Sequence, residues 1–308
     1  MIAAYLRRRS VADTHVPLLV GKAGGSWLHA HLLAEQAVRP GFDPGQLPTG
    51  TTPELTALYE AELLVAGAGD RDRWQSQLRP VLAVLAVAGA GPVLPLPVAV
   101  AASARLGGPR TASRLRDVVA RLSGLVVRAQ PGQPGEQLGL FHTSLVEDYL
   151  LHPETQFPVD PTEAHAALAA AIQELAPAGQ HDPTDPLHRY AQRAEPDHLW
   201  GARDSTAVLN SLTRRPLDRA RDEQERWQRW VTLIGAHLGP EHPDALAARA
   251  NLASWTGAAG DPAAARDRYA ELLPIIERVS GPEHPDTLTA RINLAYWTGQ
   301  ADDAGAGP

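Results

Sequence analysis

A block of 23 residues is written twice in this chain, 42 residues apart. Gly239–Asp261 reads GPEHPDALAARANLASWTGAAGD, Gly281–Asp303 reads GPEHPDTLTARINLAYWTGQADD, and 17 of the 23 positions are identical. Self-similarity at a fixed period of roughly 20 to 50 residues is the mark of a solenoid. Each unit of a solenoid buries its apolar face only against its neighbours, so the segment stacks and presents an extended surface. The C-terminal third is therefore built for recognition more than for catalysis. The array also begins before the identity does. Trp227, Trp230, Leu233 and Ile234 have helical spacing, and 42 residues later stand Tyr269, Leu272, Ile275 and Ile276.

Within the block, Pro243 and Asp244 start a helix, the proline fixing φ and the aspartate lying near the positive helix end. Leu246, Asn251, Leu252 and Trp255 are expected along one side of it, and Gly257 and Gly260 are expected to end it. Pro262 opens a second helix, with Tyr269 as its large anchor. His242 and His284 recur in the loops between units, far apart and without neighbouring ligand residues, so loop packing is expected of them and metal binding is not. The sequence closes on GQADDAGAGP, where the second helix of the last unit is expected to begin, so that unit is expected to be incomplete.

The chain has 308 residues, 44% of them hydrophobic, enough for one large or two modest domains with cores of their own. Alanine, leucine and arginine dominate, which favours helix, and a mainly α fold is expected. A net charge of −7 argues against a general nucleic-acid binder. The chain has no cysteine, which excludes disulfides, thiolate chemistry and cysteine-type zinc sites and fits a cytoplasmic protein. Lys22 is the only lysine beside 27 arginines, which removes lysine as a catalytic base or phosphate clamp. The amino-terminal MIAAYLRRRS lacks the order of a signal peptide. Pro80 to Ala104 carries no charge over 25 residues, long enough to suggest a membrane span. Pro92, Pro95 and Pro97 interrupt it, and lipid satisfies none of the freed backbone groups, so two buried helices joined by a proline turn are expected instead.

Residues 11–37 hold an apolar run and a helix, WLHAHLLAEQAV. Residues 40–52 read as a Pro/Gly loop, and a helix starts at Thr52 and Glu54 and runs to about Ala66. Helices are expected at 74–89, 98–106 and 111–122, the last with Leu115, Val118, Val119 and Leu122 on one buried face. LVVRA and QLGLF then read as strands around the turn PGQPGE, and a fourth helix follows at 143–151. Three helices and a two-stranded wing give the order of a winged-helix domain. A helix at 162–175 lies between Pro-rich loops, and helical pairs begin at Pro186. The expected division is 1–73, a winged-helix-like 74–152, a helical linker 153–195, and repeats 196–308.

The pattern GPEHPD…L..R.NLA.WTG…GD resembles a tetratricopeptide repeat of the kinesin-light-chain type, over about residues 200–308. That resemblance implies a protein or peptide partner bound by Asn251 and Asn293, with Arg249 and Arg291, on the concave helices. The alternative for the asparagines is that each caps its own repeat. Residues 13–200 resemble the downstream half of a STAND signalling ATPase of the NACHT type, as found with such repeats in actinobacteria. The stretches that carry this are GGSWLHAHLL, LPTGTTPELTALYEAEL, W…LRPVLAVLAVAGAGPVLPL, LSGLVVR and GLFHTSLVEDYLL. The last implies that His142 reaches the β-phosphate of ADP and helps hold a resting state closed. Its other reading is a histidine that ends a wing strand and begins a helix.

A phosphate loop needs GxxxxGK[ST], whose amides cradle the phosphates while the lysine reaches the β/γ position. GKAGGS at 21–26 follows PLLV and precedes a helix, but its lysine comes before the glycines, and no acidic partner strand is visible. The chain is thus expected to be no enzyme and to hold no cofactor itself. ADP or ATP enters only with an upstream module, and the chain is expected to begin after that ATPase core and end within the repeats. Ser144 lies near His142 without a GxSxG elbow, and His29 and His31 do not share a helix face. Arg105, Arg110, Arg114, Arg116, Arg121 and Arg128 face only Asp117 over their 24 residues. Such a helix enters a major groove in a winged-helix DNA-binding regulator; a solvated face, or a face docked on the ATPase module, is the alternative. Three functions follow: the regulatory, sensing part of a STAND-type ATPase; a stand-alone repeat adaptor; or that DNA-binding regulator. A DNA partner and a membrane are not expected, while self-assembly is what the STAND resemblance implies.

Overall fold

The computed structural model buries most of the uncharged stretch in the core of the first of two units, Met1–Ala202 and Arg203–Pro308, and leaves Gly89, Pro92, Val93 and Pro97 exposed. The structure describes residues 1–47, 54–89, 91–180, 182 and 184–305. The helix start expected at Thr52, Ala90 of the uncharged stretch and the last three residues lie outside them.

The first unit opens with α1 (Ile2–Arg8), α2 (Val16–Ala23), α3 (Trp27–Ala37) and α4 (Leu55–Ala66). The PLLV run is thus helical: Lys22 sits in α2, and no strand precedes the glycines, which removes the remaining likeness to a phosphate loop. α5 (Arg71–Arg73) passes through a π-helical turn at Trp74–Leu78 into α6 (Arg79–Ala88). α6 is buried continuously from Pro80 to Ala86, as a helix that is apolar all round must be. Pro80 stands directly after the π-helical turn, inside a helical run continuous from Arg71, and has no amide to donate to it.

β1 (Leu94–Pro95), α7 (Leu96–Arg105), α8 (Ala112–Arg121), β2 (Val126–Ala129) and β3 (Gln137–Leu140) follow. β3 is central and antiparallel to both neighbours, in the order β1-β3-β2. Leu94 pairs with Leu138, and Val126 with Leu140. The expected two-stranded wing therefore gains a third strand from the middle of the proline turn. Two residues are too few to show strand alternation, and a proline is tolerated at a sheet edge. α8 starts on Thr111, whose hydroxyl accepts the Arg114 amide at 3.4 Å, and it buries Leu115, Val118 and Val119. The unit closes with α9 (Thr143–Leu145), a π-helical turn at Val146–Leu150, α10 (Pro161–Leu175) and α11 (Pro186–Gly201).

One apolar core runs from Leu6 to Ala191, so the segments 1–73, 74–152 and 153–195 share it and do not fold around separate centres. α11 packs on α10, with His165 Nδ1 3.0 Å from His198 Nδ1. The division between the compact units accordingly falls after Ala202, a few residues beyond the 196 expected from the sequence.

The second unit is α12 (Ser205–Arg214), α13 (Ala220–Leu238), α14 (Pro243–Ala258), α15 (Pro262–Ser280) and α16 (Pro285–Gly305). From α13 onward each helix packs on the next. The period is visible in burial: Trp227, Trp230 and Ile234 are buried on α13, and Tyr269, Leu272 and Ile276 are buried at the matching positions of α15. α14 buries two sides, which corrects the expectation of one. Ala245, Ala248, Leu252 and Thr256 form one row, while Leu246 and Ala253 join Tyr269 and Ala290 in the cluster beneath α15 and α16. Gly257 does not end α14; it is buried inside it, where a Cβ would run into the Trp297 ring.

The turn after α14 needs Gly260, whose φ of 105° is closed to most side chains, and Pro262, which opens α15. One period later these positions hold Asp302 and Ala304, and α16 runs straight on to Gly305. Residues 300–305 thus extend the first helix of the last unit. Among the described residues no helix is long and apolar enough to cross a membrane.

Candidate functional site

α14 and α16 run past α15 so that a groove of about 170 Å³ opens among the three. Its lining includes Leu246, Ala250 and Asn251 of α14, Tyr269 of α15, and Ala290 and Asn293 of α16. The small side chains at 250 and 290 leave the room, and the asparagines stand one period apart in it.

Tyr269 organises the groove. Its ring is 1% exposed, and its hydroxyl donates to the Ala250 carbonyl at 2.8 Å. Having given its one proton, the oxygen accepts from Ser254 Oγ at 2.7 Å and from Asn293 Nδ2 at 3.1 Å. A phenol has one donor and two acceptor positions, so its capacity is full. Burial pushes the Tyr269 hydroxyl above its ordinary pKa although these two bonds pull it down, so it stays protonated.

Asn251 donates Nδ2 to the Ala247 carbonyl one turn back, at 2.9 Å. Each asparagine therefore gives one of its two amide N–H groups to the fold. Neither side-chain carbonyl has a partner among the described residues, so the fold leaves two acceptors for a ligand's amide donors. Asn251 bonds within its own helix, while Asn293 reaches back to the preceding one.

The two arginines do not join them. Arg291 is held by Glu277 of α15, with Nε and Nη2 at 3.0 and 2.8 Å from one carboxylate oxygen. Gly235 occupies the matching place on α13, and Arg249 has no ion pair among the described residues. Neither arginine lines the groove. His242 and His284 cap helices: their Nδ1 atoms accept the Asp244 and Asp286 amides, both at 3.2 Å, at the starts of α14 and α16. Among the described residues no group of three or more metal-ligating side chains is assembled.

His142 lies between β3 and α9, exposed, with Nδ1 accepting the Ser144 amide at 3.1 Å. An acceptor at Nδ1 puts the proton of the neutral ring on Nε2, which is left as a donor. Its surroundings are fixed on both sides. Ser144 Oγ is 2.5 Å from the Tyr59 hydroxyl, and Phe141 stacks on His31 with centroids 3.9 Å apart. His31 bonds the Gly124 carbonyl at 3.1 Å and the Tyr5 hydroxyl at 2.9 Å, and burial lowers its pKa, which keeps the ring neutral.

Half of the arginine run is neutralised inside the fold, which corrects the expectation that it faces only Asp117. Arg105 is paired with Glu174. Arg116 and Arg128 hold Glu136 at 2.8 and 2.5 Å, and the Gly132 amide is a third partner at 3.0 Å. Burial pushes the Glu136 carboxyl up, but the bonds from Arg116, Gly132 and Arg128 outweigh it and hold the group below its ordinary value.

Residues 244–305 match the tetratricopeptide repeat family. No curated protein and no solved structure matches the chain. The family match spans α14, α15 and α16, the helices that form the groove, and tetratricopeptide repeats generally mediate protein–protein interaction.

Proposed function

We propose that the groove lined by Asn251, Tyr269 and Asn293 binds an extended peptide segment of a protein partner, and that the chain is the non-catalytic regulatory and sensing part of a STAND-type signalling ATPase. The observation that carries the first half is the pair of asparagines one period apart, each anchored to the fold by one amide N–H and with its side-chain carbonyl left over. Peptide backbones offer amide donors at regular intervals, and a preformed, rigid site loses little entropy on binding them. A random-peptide selection on the full chain tests it, with loss of the enriched peptides from Asn251→Ala and Asn293→Ala as the expected result.

Support for the second half is the order helix, strand, helix, helix, strand, strand over α6 to β3, which is the winged-helix order, together with the Nε2 donor of His142. In this reading ADP or ATP belongs to an ATPase module acting with this chain, His142 senses its phosphates, and the repeats gate the response in the cytoplasm. The mass of the native product in its source cells tests it. A mass far above 32.9 kDa is expected, and a mass near that value favours a stand-alone adaptor.

A further inference from the structure

Arg105, Arg116 and Arg128 are bound to Glu174 and Glu136, and that leaves three cations of the run uncompensated. Arg121 meets only the neutral side-chain oxygen of Gln77, at 2.9 Å. Arg110 and Arg114 are exposed, and neither has an ion pair or hydrogen-bond partner for its side chain among the described residues. The three are not scattered. Arg114 and Arg121 stand seven residues, two turns, apart on α8, and Arg110 lies in the loop just before the helix cap Thr111; all three line the space beside the π-helical turn at Trp74–Leu78. Between that side and the turn is a concavity of about 480 Å³, lined by Ser76, Gln77, Arg110, Arg114, Asp117 and Arg121, with Gly107 and Gly108 at its wall.

Three guanidinium groups against one carboxylate give this concavity a net charge of about +2. Guanidinium presents a planar fork of donors that matches phosphate oxygens two at a time, and it stays charged at every relevant pH. The volume lies in the range of small-molecule sites, and the residues form a recess rather than a ridge. Asp117 stands in the middle of the arginine face, where it would repel a row of phosphates laid along α8, as a duplex backbone would be.

We propose that this recess is a binding site for a small phosphate-bearing anion, held by Arg110 and Arg114 with Arg121 as the third cation. The site is separate from the repeat groove and from His142, and it stands whether or not an ATPase partner exists.

Inorganic pyrophosphate titrated into the full chain at low salt, followed by calorimetry, is the test. Saturable binding at one site is expected. Arg110→Gln and Arg114→Gln each weaken it about tenfold or more, the double variant abolishes it, and Asp117→Asn tightens it severalfold. Arg268→Gln, an exposed arginine of the other unit, leaves it unchanged. Both recess arginines are exposed, so unchanged thermal melting separates lost binding from lost folding. Unsaturable binding, or binding indifferent to the double variant, overturns the proposal. It is equally overturned if random-sequence duplex DNA, and not pyrophosphate, is the ligand that the double variant loses.

Discussion

Replacing Tyr269 by phenylalanine removes one oxygen and leaves three partners behind. The ring contacts with Leu246, Leu272 and Ile276 remain, so the loss of apolar burial is close to zero. What goes is a donated bond of 2.8 Å and two accepted bonds of 2.7 and 3.1 Å. The Ala250 carbonyl keeps its helical bond one turn on and loses only a second one. Ser254 and Asn293 are half-buried and recover part of their loss from water. At about 1 kcal/mol net for each bond, with partial recovery at two of them, Tyr269→Phe costs about 1.5 to 2 kcal/mol. Ser254→Ala costs about 0.5 kcal/mol, because the phenol keeps its acceptor and its other donor. Urea unfolding followed by tryptophan fluorescence reads both, since Trp297 packs on the same cluster. If Tyr269→Phe costs no more than Ser254→Ala, the hydroxyl does not organise the groove and the reasoning fails.

Glu136→Gln strands two guanidinium groups around a carboxyl that is 1% exposed, and about 2 to 3 kcal/mol of stability is expected to disappear in the same urea assay. A neutral result would mean that the arginines find other partners. Gly257→Ala drives a methyl into the Trp297 ring and is expected to cost about 1 to 3 kcal/mol and to shift tryptophan emission, whereas Gly299→Ala, which faces open space, is expected to cost nothing. His198 supplies a pH dependence. Burial, then the neighbouring His165, lowers its pKa to about 3, so between that value and the ordinary 6.5 the unfolded chain binds the extra proton. Its contribution is complete above pH 6.5 and is lost as pH falls, at up to about 1.4 kcal/mol per pH unit. His198→Gln is expected to flatten the urea midpoint between pH 4 and 6.5 relative to the native chain, and an unchanged slope would show that His198 is not the group responsible.

Local chemistry is readable where it is written within a few residues. Pro243, Pro262 and the apolar rows of α13 and α15 act within a few turns, the 42-residue period writes such local signals twice, and the structure follows them. The proline turn between α6 and α7 is legible for the same reason. Contacts between residues distant in sequence are not. The arginine run reads as unopposed because Glu174 lies 69 residues from Arg105, and Glu136 lies 20 from Arg116. Gly257 reads as a helix end because nothing near it shows that Trp297 fills its place. The same holds for the site. Asn251 and Asn293 stand out by recurrence, but Tyr269, which fixes one of them, reads only as an anchor. Arg249 and Arg291 recur equally well and yet stay out of the groove, one of them held by a glutamate that the preceding unit replaces with glycine.

Whether Asn251 and Asn293 hold a peptide is read most directly from a binding isotherm for a peptide selected on the full chain. Saturable binding is expected that falls about tenfold or more in Asn251→Ala and in Asn293→Ala, while both variants keep a cooperative urea transition. Equal affinity in both variants, or a selection that enriches no peptide at all, would contradict it.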